Sequence, residues 1–338
     1  MIVVLEKGVS LKDKASIVRF IESQGGRLLV SELDDATHIG LVDTKAQALA
    51  DEIRAMPGVA TIRSEAPPYP QVSRQYRESN TVVEVRDVAF GGEEVVVIAG
   101  PCSVESAQQV ALVSEGVAAA GARMLRGGAF KPRTSPYSFQ GMGEEGLLLL
   151  ATAREQSGLP VVTEVVATED VALVATHADM LQIGARNMQN FRLLSEVGAQ
   201  PKPVLLKRGI SSSIEEVLLA AEYVASAGNT RVLICERGIR TFETATRNTF
   251  DVSAVPVLKQ KTHLPVIVDP SHAAGDRSLV PALAAAGIAA GADGVIVEVH
   301  NDPDNALSDG PQSLTIPGFA TMMGTLRAVA SAVGRNIR

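Results

Sequence analysis

From about residue 94 onward, the sequence repeats one pattern of a short apolar run, a loop and a helical segment. The runs consist of Val, Ile and Leu without polar alternation, which is typical of strands buried on both faces. Eight runs fit this description: EVVVIAGPC, ARMLRGG, PVVTEV, DMLQIG, KPVLLKRG, RVLICERG, LPVIVDPSH and DGVIVEVH. Most intervening segments, such as SAQQVALVSEGVAAAG, end in Gly, the usual residue after a helix. Eight βα units predict an α/β fold, a (β/α)8 TIM barrel, with a doubly wound open sheet as the alternative.

The first 65 residues follow a different order of elements. MIVVLE, RLLVSE, THIGLVD and VATIRS are strand candidates, and SLKDKASIVRFIESQGG and TKAQALADEIRAMPG are helix candidates, the first with Ser10 as N-cap. The resulting order βαββαβ predicts a small ferredoxin-like domain. Three prolines within five residues follow, which indicates a linker. We therefore expect a domain over 1–65, a linker over 66–80 and a barrel over 81–338, in which TVVEVRDVAFGG forms a hairpin at the bottom.

Composition restricts the class of protein. The chain has 338 residues, 46% of them hydrophobic, no Trp, two Cys and a net charge of −7. Two cysteines give no disulfide framework, and neither a signal peptide nor an apolar stretch of about 18 residues is present. The acidic balance argues against nucleic acid as a partner. These features predict a cytoplasmic protein without a membrane partner.

Chemically unusual residues follow every strand candidate. In a (β/α)8 barrel the active site lies where the strands end, so these residues converge on one mouth. In strand order they are Cys102, Arg126, Glu164, Arg186, Lys207 with Arg208, Glu236 with Arg237, His272, and Glu298 with His300. Only 20% of the chain is charged, so this distribution favours a site over isolated solvated charges.

The ring contains two kinds of chemistry. Its cations are Arg126, Lys131, Arg133, Arg186, Lys207 and Arg237. Converging Arg and Lys bind phosphate and carboxylate, and so many of them predict more than one anionic group. Arg208 is expected instead to point outward or to support the site from behind.

The second kind comprises Cys102, His272, Glu298 and Asp309. A thiolate, an imidazole and two carboxylates suit Zn, Fe, Mn or Co better than Mg or Ca. For Cys102 the alternative is a small buried apolar residue, which is also the role expected of Cys235. His300 lies two residues beyond Glu298, so alternation places it on the same face, behind the metal ligands.

Long motifs in this chain resemble the 3-deoxy-D-arabino-heptulosonate 7-phosphate (DAHP) synthase family. They are AGPCSVES, LRGGAFKPRTSPYSFQG, QIGARNMQN, LLKRG, ERG, DPSHAAG and SDGPQSL, and the resemblance covers nearly all of residues 80–338. The N-terminal part is similar to the type I beta subgroup by its order of elements, because that subgroup carries a ferredoxin-like regulatory domain.

The resemblance implies roles for particular residues. Members of the family condense phosphoenolpyruvate with erythrose 4-phosphate on one divalent metal ion per subunit. Phosphoenolpyruvate would be bound by Arg126, Lys131, Arg186, Lys207 and Arg237. Erythrose 4-phosphate would be bound by Lys131, Pro132, Arg133, Thr134, Ser135 and Asp309. The metal would be held by Cys102, His272, Glu298 and Asp309, and the catalytic set would be Lys131, Cys102, His272 and Glu164.

The resemblance also implies partners and leaves alternatives open. It implies a homotetramer that is inhibited by Tyr or Phe through the N-terminal domain. The sister family, 3-deoxy-D-manno-octulosonate 8-phosphate synthase, uses arabinose 5-phosphate and carries Ala-Asn-Arg-Ser where this chain has residues 132–135. A Schiff-base aldolase with Lys207 as nucleophile is a second alternative, and a non-catalytic sugar-phosphate sensor is a third. Both would leave the metal-ligand set unused.

Overall fold

A computed structural model describes residues 1–26, 28–33, 36–41, 48–63, 67–132 and 135–338. The chain divides into two compact units, which are described separately below. Unit 1 contains Met1–Ser79 together with Gln260–His263, and unit 2 contains Asn80–Lys259 together with Leu264–Arg338. Among the helices in these ranges, none is both long and apolar enough to cross a membrane.

Unit 1 is a four-stranded antiparallel sheet with two helices. Its elements are β1 (Ile2–Leu5), α1 (Leu11–Ser23), β2 (Leu28–Leu33), β3 (Ala36–Leu41), α2 (Ala50–Arg54) and β4 (Val59–Arg63). The strands lie in the order β2-β3-β1-β4, which is the arrangement of the predicted βαββαβ unit. Ser10 caps α1 as predicted, because its side chain accepts a hydrogen bond from the Asp13 N–H. Residues 44–47 of the second predicted helix, and residues 42–43 of the strand before it, lie outside the described residues.

The core of unit 1 lies between its sheet and α1. Ile17 and Ile21 on α1 are fully buried and pack with Val3 and Ile39 from the two central strands. Residues 67–79 also contribute to unit 1, since the side chains of Tyr69, Val72 and Tyr76 are buried.

Unit 2 is a closed parallel barrel. Its strands are β7 (Val96–Gly100), β8 (Met124–Arg126), β9 (Val161–Glu164), β10 (Met180–Ile183), β11 (Val204–Lys207), β12 (Val232–Glu236), β13 (Val266–Val268) and β14 (Gly294–His300). Each strand pairs with the next in parallel, and β14 pairs with both β13 and β7. This closure confirms the (β/α)8 barrel and excludes the open sheet. The short β15 (Leu314–Thr315) extends the sheet beside β14.

Helices cover the outside of the barrel, as the βα pattern predicted. They are α3 (Ala107–Ala120), α4 (Glu144–Ser157), α5 (Val171–His177), α6 (Phe191–Gly198), α7 (Ile214–Ser226), α8 (Ala254–Lys261), α9 (Pro270–Ala274), α10 (Val280–Ala289) and α11 (Ile316–Ala332). Ser213 begins α7 with a capping box that includes Glu216.

A hairpin closes the bottom of the barrel. It consists of β5 (Val83–Val85) and β6 (Val88–Phe90), as TVVEVRDVAFGG predicted. Phe90 is fully buried in one apolar cluster with Ile98, Leu233 and Ile296 from the strands. The bottom of the barrel is therefore packed with apolar side chains, and polar groups collect at the opposite end.

Candidate active site

A cavity of about 230 Å³ opens where the barrel strands end. It is lined by Arg126, Lys131, Pro132, Glu164, Gln182, Gly184, Ala185, Arg186, Lys207, Ile210, Arg237, Arg240, Arg247, Asn248, His272 and Asp309. Cations dominate this lining, so the cavity suits ligands that carry more than one negative charge.

One side of the mouth holds a compact cluster of Cys102, Glu298 and Asp309. One potential metal-ligand atom from each residue lies within 4.8 Å of the other two. Cys102 Sγ is 3.3 Å from Asp309 Oδ2. Asp309 has a left-handed backbone with φ 50° and ψ 34°, a conformation that costs free energy in a residue other than Gly. The loop therefore holds this carboxylate in a strained position beside the thiol.

His272 lies beside this cluster and not within its 4.8 Å group. Its Nε2 is 3.5 Å from Glu298 Oε1, and its Nδ1 is 2.8 Å from Asp269 Oδ2. Asp269 also accepts a hydrogen bond from Lys207 Nζ. A fully buried carboxylate thus connects the imidazole with one of the cations of the cavity.

The donor set fits a transition-metal ion. Glu298 Oε1 is buried without a hydrogen-bond partner, although Arg126 Nη1 lies 3.1 Å away as an ion pair. A buried oxygen without such a bond is costly unless another group, such as a metal ion, satisfies it. The combination of thiol, carboxylate and imidazole favours Zn, Fe, Mn or Co, as the sequence predicted.

The protonation states also suit an incoming cation. Burial and the nearby Glu298 raise the pKa of Cys102 to about 12, so the thiol is protonated at neutral pH and must lose its proton to bind a metal. Burial opposes the charge of Glu298, but His272 and Arg126 hold the pKa of its carboxyl below the ordinary value. Burial likewise opposes the charge of Asp309, and Arg247 holds the pKa of that carboxyl below the ordinary value. Burial lowers the pKa of His272 in spite of Asp269, which favours the neutral imidazole.

The cations of the mouth come from several strands and loops. Arg126 and Lys207 end β8 and β11, and Arg237 follows β12. Lys131 Nζ is 3.2 Å from Cys102 Sγ and 3.0 Å from the Cys102 carbonyl oxygen. Burial opposes the charge of Lys131, but Cys102 and two nearby carboxylates raise its pKa above the ordinary value. Lys131 therefore remains an ammonium group that borders both the metal-ligand cluster and the cavity.

Glu164 is positioned by two residues of the next strand and its loop. Gln182 Nε2 donates to Glu164 Oε2 over 3.3 Å. Gly184 leaves room for the same carboxylate, because a Cβ at this position would lie 2.0 Å from Glu164 Oε1. Glu164 thereby faces the cavity between the cations.

The structure brings most of the predicted residues together. Arg126, Lys131, Pro132, Glu164, Arg186, Lys207, Arg237, His272 and Asp309 line the cavity, with Cys102 and Glu298 directly behind it. Ser135 is exposed and is not part of the lining, and Arg133 and Thr134 lie outside the described residues. Cys235 is buried in the apolar core, as predicted.

Other predicted residues at the strand ends are structural. Arg208 does not line the cavity: it is buried and pairs with Glu236 and Asp251, each at 2.8 Å, so it is not a solvent-exposed charge. His300 Nδ1 accepts from the Asp302 N–H, and its Nε2 lies 3.3 Å from Glu105 Oε2. His300 thus anchors the loop that carries Asp309.

The sequence reasoning missed six polar residues around the site. They are Gln182, Arg240, Arg247, Asn248, Asp269 and Gln312. Gln182 and Asp269 could have been found from the sequence by strand alternation. Gln182 lies two residues beyond the interior strand residue Met180, and Asp269 lies two residues beyond Ile267. The others come from loops, where their placement depends on the folded chain.

Comparisons with known proteins agree with this architecture. The sequence model of the DAHP synthetase I family matches residues 73–333. The phospho-2-dehydro-3-deoxyheptonate aldolase of Thermotoga maritima is 47% identical over 99% of both chains. A crystal structure of that Thermotoga enzyme, also titled DAHP synthase, superimposes with a TM-score of 0.80 over 100% of this chain and 99% of that one, at 46% identity. A 2-dehydro-3-deoxyphosphooctonate aldolase from Syntrophobacter fumaroxidans is 34% identical over 72% of this chain and 90% of its own.

The contact between Gly184 and Glu164 gives a direct test of the site. Gly184→Ala would force the Glu164 carboxylate out of its position, and we expect it to weaken phosphoenolpyruvate binding at least about tenfold, the size of effect that a displaced polar group produces. The measurement is calorimetric titration of the folded variant. Gly324→Ala is the matched control, since a Cβ there meets nothing within 4 Å, and it should bind like the parent protein. Unchanged affinity in Gly184→Ala would remove Glu164 from the binding site.

Proposed function

Because this chain belongs to the DAHP synthetase I family, we propose that it condenses phosphoenolpyruvate with erythrose 4-phosphate and water to give DAHP and inorganic phosphate. One observation supports this reaction above all: several cations and a thiol–carboxylate cluster share one cavity at the barrel mouth. The product of such a reaction would enter aromatic amino acid biosynthesis. We propose the cytoplasm as the compartment in which the reaction takes place.

Phosphoenolpyruvate, with its phosphate and carboxylate, fits the cations in the cavity. We assign its binding to Arg126, Lys131, Arg186, Lys207 and Arg237. Two of them are fixed from behind, since Lys207 pairs with Asp269 and Arg126 with Glu298. Held in this way, the cations orient the enol, and proximity to the aldehyde supplies a large part of the rate.

The metal assignment follows from the donor set described above. Cys102, Glu298, Asp309 and His272 would hold one divalent ion, and the ion would supply an electrophile for the aldehyde oxygen. Among these residues, Cys102 must give up a proton, and Lys131 lies 3.2 Å from its sulfur to stabilise the thiolate. Lys207 forms an ion pair with the Asp269 carboxylate, and this pairing disfavours the Schiff-base alternative, in which Lys207 would be the nucleophile.

We propose Lys131 and Glu164, which both line the cavity, as the residues that handle protons and water in the reaction. Carbon C3 of phosphoenolpyruvate attacks the aldehyde carbon, and we assign Lys131 as the donor of the proton that the new alkoxide takes. Water then adds at C2, oriented by Glu164, and phosphate leaves from the hemiketal phosphate. The raised pKa of Lys131 agrees with the first role, because the group enters the reaction protonated.

The aldose is assigned from the loop after β8 and from the relatives. We propose that Lys131, Pro132, Arg133, Thr134, Ser135 and Asp309 bind erythrose 4-phosphate. The heptonate relative covers the whole chain at 47% identity, while the octonate relative covers 72% at 34%, which favours the shorter sugar.

Phosphate release from phosphoenolpyruvate in the presence of each aldose phosphate tests this function. We expect turnover with erythrose 4-phosphate and a lower kcat/KM with arabinose 5-phosphate, because the KPRTS loop matches the shorter substrate. A higher kcat/KM with arabinose 5-phosphate would assign the sister reaction. No release with either aldose would favour the sensor.

The two cysteines provide a matched test of the metal centre. Cys102→Ala should lose both bound metal and turnover, since the thiol belongs to the ligand cluster. Cys235→Ala removes a thiol that is buried in the apolar core and should retain both. Metal content is measured after reconstitution and gel filtration. Full activity of Cys102→Ala after exhaustive treatment with EDTA would contradict a metal-dependent reaction.

We also propose that unit 1 regulates the barrel. The site residues all belong to unit 2, so unit 1 is available for another role. An effector can act there only by favouring one arrangement of the protein over another. Following the family resemblance, we propose Tyr or Phe as effector and a homotetramer as the assembly.

Truncation separates regulation from catalysis. A chain that begins near Val82 should remain active and become insensitive to Tyr and Phe, which should inhibit the full chain. A solved truncated form of the Thermotoga enzyme covers 80% of this chain, so a barrel of that kind folds without the remainder. The measurement is initial rate against effector concentration for both proteins. Equal inhibition of both would place the effector site in the barrel.

A further inference from the structure

Gln312 is a buried amide that joins a carboxylate to a guanidinium. Its side chain lies in the turn after Asp309 and is 2% exposed. Its Nε2 donates to Glu298 Oε2 over 2.7 Å, and its Oε1 accepts from Arg247 Nη1 over 2.7 Å. A carboxylate only accepts and a guanidinium only donates, so these two neighbours fix the orientation of the amide.

Arg247 reaches the second carboxylate of the cluster directly. Its Nη1 is 3.3 Å from Asp309 Oδ1. The backbone of Arg247 is held by a hydrogen bond from its N–H to the Ala274 carbonyl. One guanidinium therefore contacts both acidic residues, Asp309 directly and Glu298 through Gln312.

These contacts divide the oxygens of each carboxylate into two groups. The outer oxygens, Glu298 Oε2 and Asp309 Oδ1, bind Gln312 and Arg247. The inner oxygens face other groups of the site: Asp309 Oδ2 is 3.3 Å from Cys102 Sγ, and Glu298 Oε1, which has no hydrogen-bond partner, lies 3.5 Å from His272 Nε2 and 3.1 Å from Arg126 Nη1. One oxygen of each carboxylate is thus turned toward another candidate metal ligand, Cys102 for Asp309 and His272 for Glu298.

We propose that Gln312 and Arg247 are positioning residues for the metal centre, which select the ligating oxygen of Glu298 and of Asp309. This inference rests on the metal assignment in the proposed function. Without Gln312, Glu298 Oε2 becomes a buried charge without a partner, and the carboxylate rotates to satisfy it. Loss of such an outer hydrogen bond typically weakens metal binding about 10- to 100-fold.

The test is cobalt binding, followed by the absorption of the thiolate–cobalt bond. Gln312→Leu should weaken Co²⁺ binding about 10- to 100-fold and change the absorption band, because Glu298 is no longer held. Asn229→Leu is the matched control: Asn229 is also a buried amide, 5% exposed, but it donates to the Gln200 and Lys202 carbonyl oxygens far from the cluster. It should lower stability and leave the cobalt affinity unchanged.

Arg247→Ala provides a second variant. The Arg247 side chain is 41% exposed, so the fold should tolerate its truncation. It should also weaken Co²⁺ binding, since Asp309 and Gln312 both lose a partner. Unchanged cobalt affinity in folded Gln312→Leu would overturn the inference, and if that variant does not fold, unchanged affinity in Arg247→Ala would do so. A parent protein without a thiolate–cobalt band would overturn the metal assignment and this inference together. A parent protein that binds cobalt through its thiolate yet does not condense the substrates would overturn the reaction alone.

Discussion

The register between β14 and β7 is the constraint on which the site depends. Glu298 is the pairing partner of Gly100, so the last strand of the barrel places its carboxylate beside the strand end that leads into Cys102. A shift by one residue would turn Glu298 out of the barrel, because side chains alternate between the two faces of a strand. Closure of the barrel is therefore also the step that assembles the cluster, since β7 and β14 lie at opposite ends of the barrel sequence.

Alternation explains which charged residues enter the cavity. Leu205 and Cys235 point into the barrel, so Lys207 and Arg237, two residues further on, point inward as well. Arg208, the residue after Lys207, and Glu236, the residue before Arg237, point the other way and pair with each other. The same spacing connects Ile267 with Asp269 and Ile296 with Glu298. Apolar packing at the bottom of the barrel thus sets the direction of the polar residues at its mouth.

Much of the fold and part of the site could be predicted from the sequence. Unalternating apolar runs indicated buried parallel strands, and Cys102, Arg126, Glu164 and Lys207 were recognised from their places at strand ends. The contacts that support the site could not be predicted. Gln312 and Arg247, for example, come from different loops that meet only in the folded chain. For Arg208, the position beside Lys207 was apparent from the sequence. Its ion-pair partner Asp251 was not, because it lies 43 residues away along the chain.

The balance of charge at the barrel mouth explains why cationic and acidic side chains occur there side by side. Asp269 and Glu298 are buried carboxylates, and each pairs with a cation of the cavity while also contacting His272. Burial of such groups without partners would be costly, so the cations and the acids stabilise each other in the folded protein. In the proposed function, these cations would bind the anionic substrate and these acids would face the metal ion.

X-ray absorption of the zinc-loaded protein tests the central claim most directly, namely that the barrel mouth holds a metal ion on Cys102 and the carboxylates. The account predicts one sulfur neighbour at about 2.3 Å together with oxygen or nitrogen neighbours at about 2.0–2.2 Å. A thiolate sulfur at this distance would be that of Cys102, because Cys102 belongs to the ligand cluster, whereas Cys235 lies in the apolar core. A zinc shell composed only of oxygen and nitrogen would contradict the account.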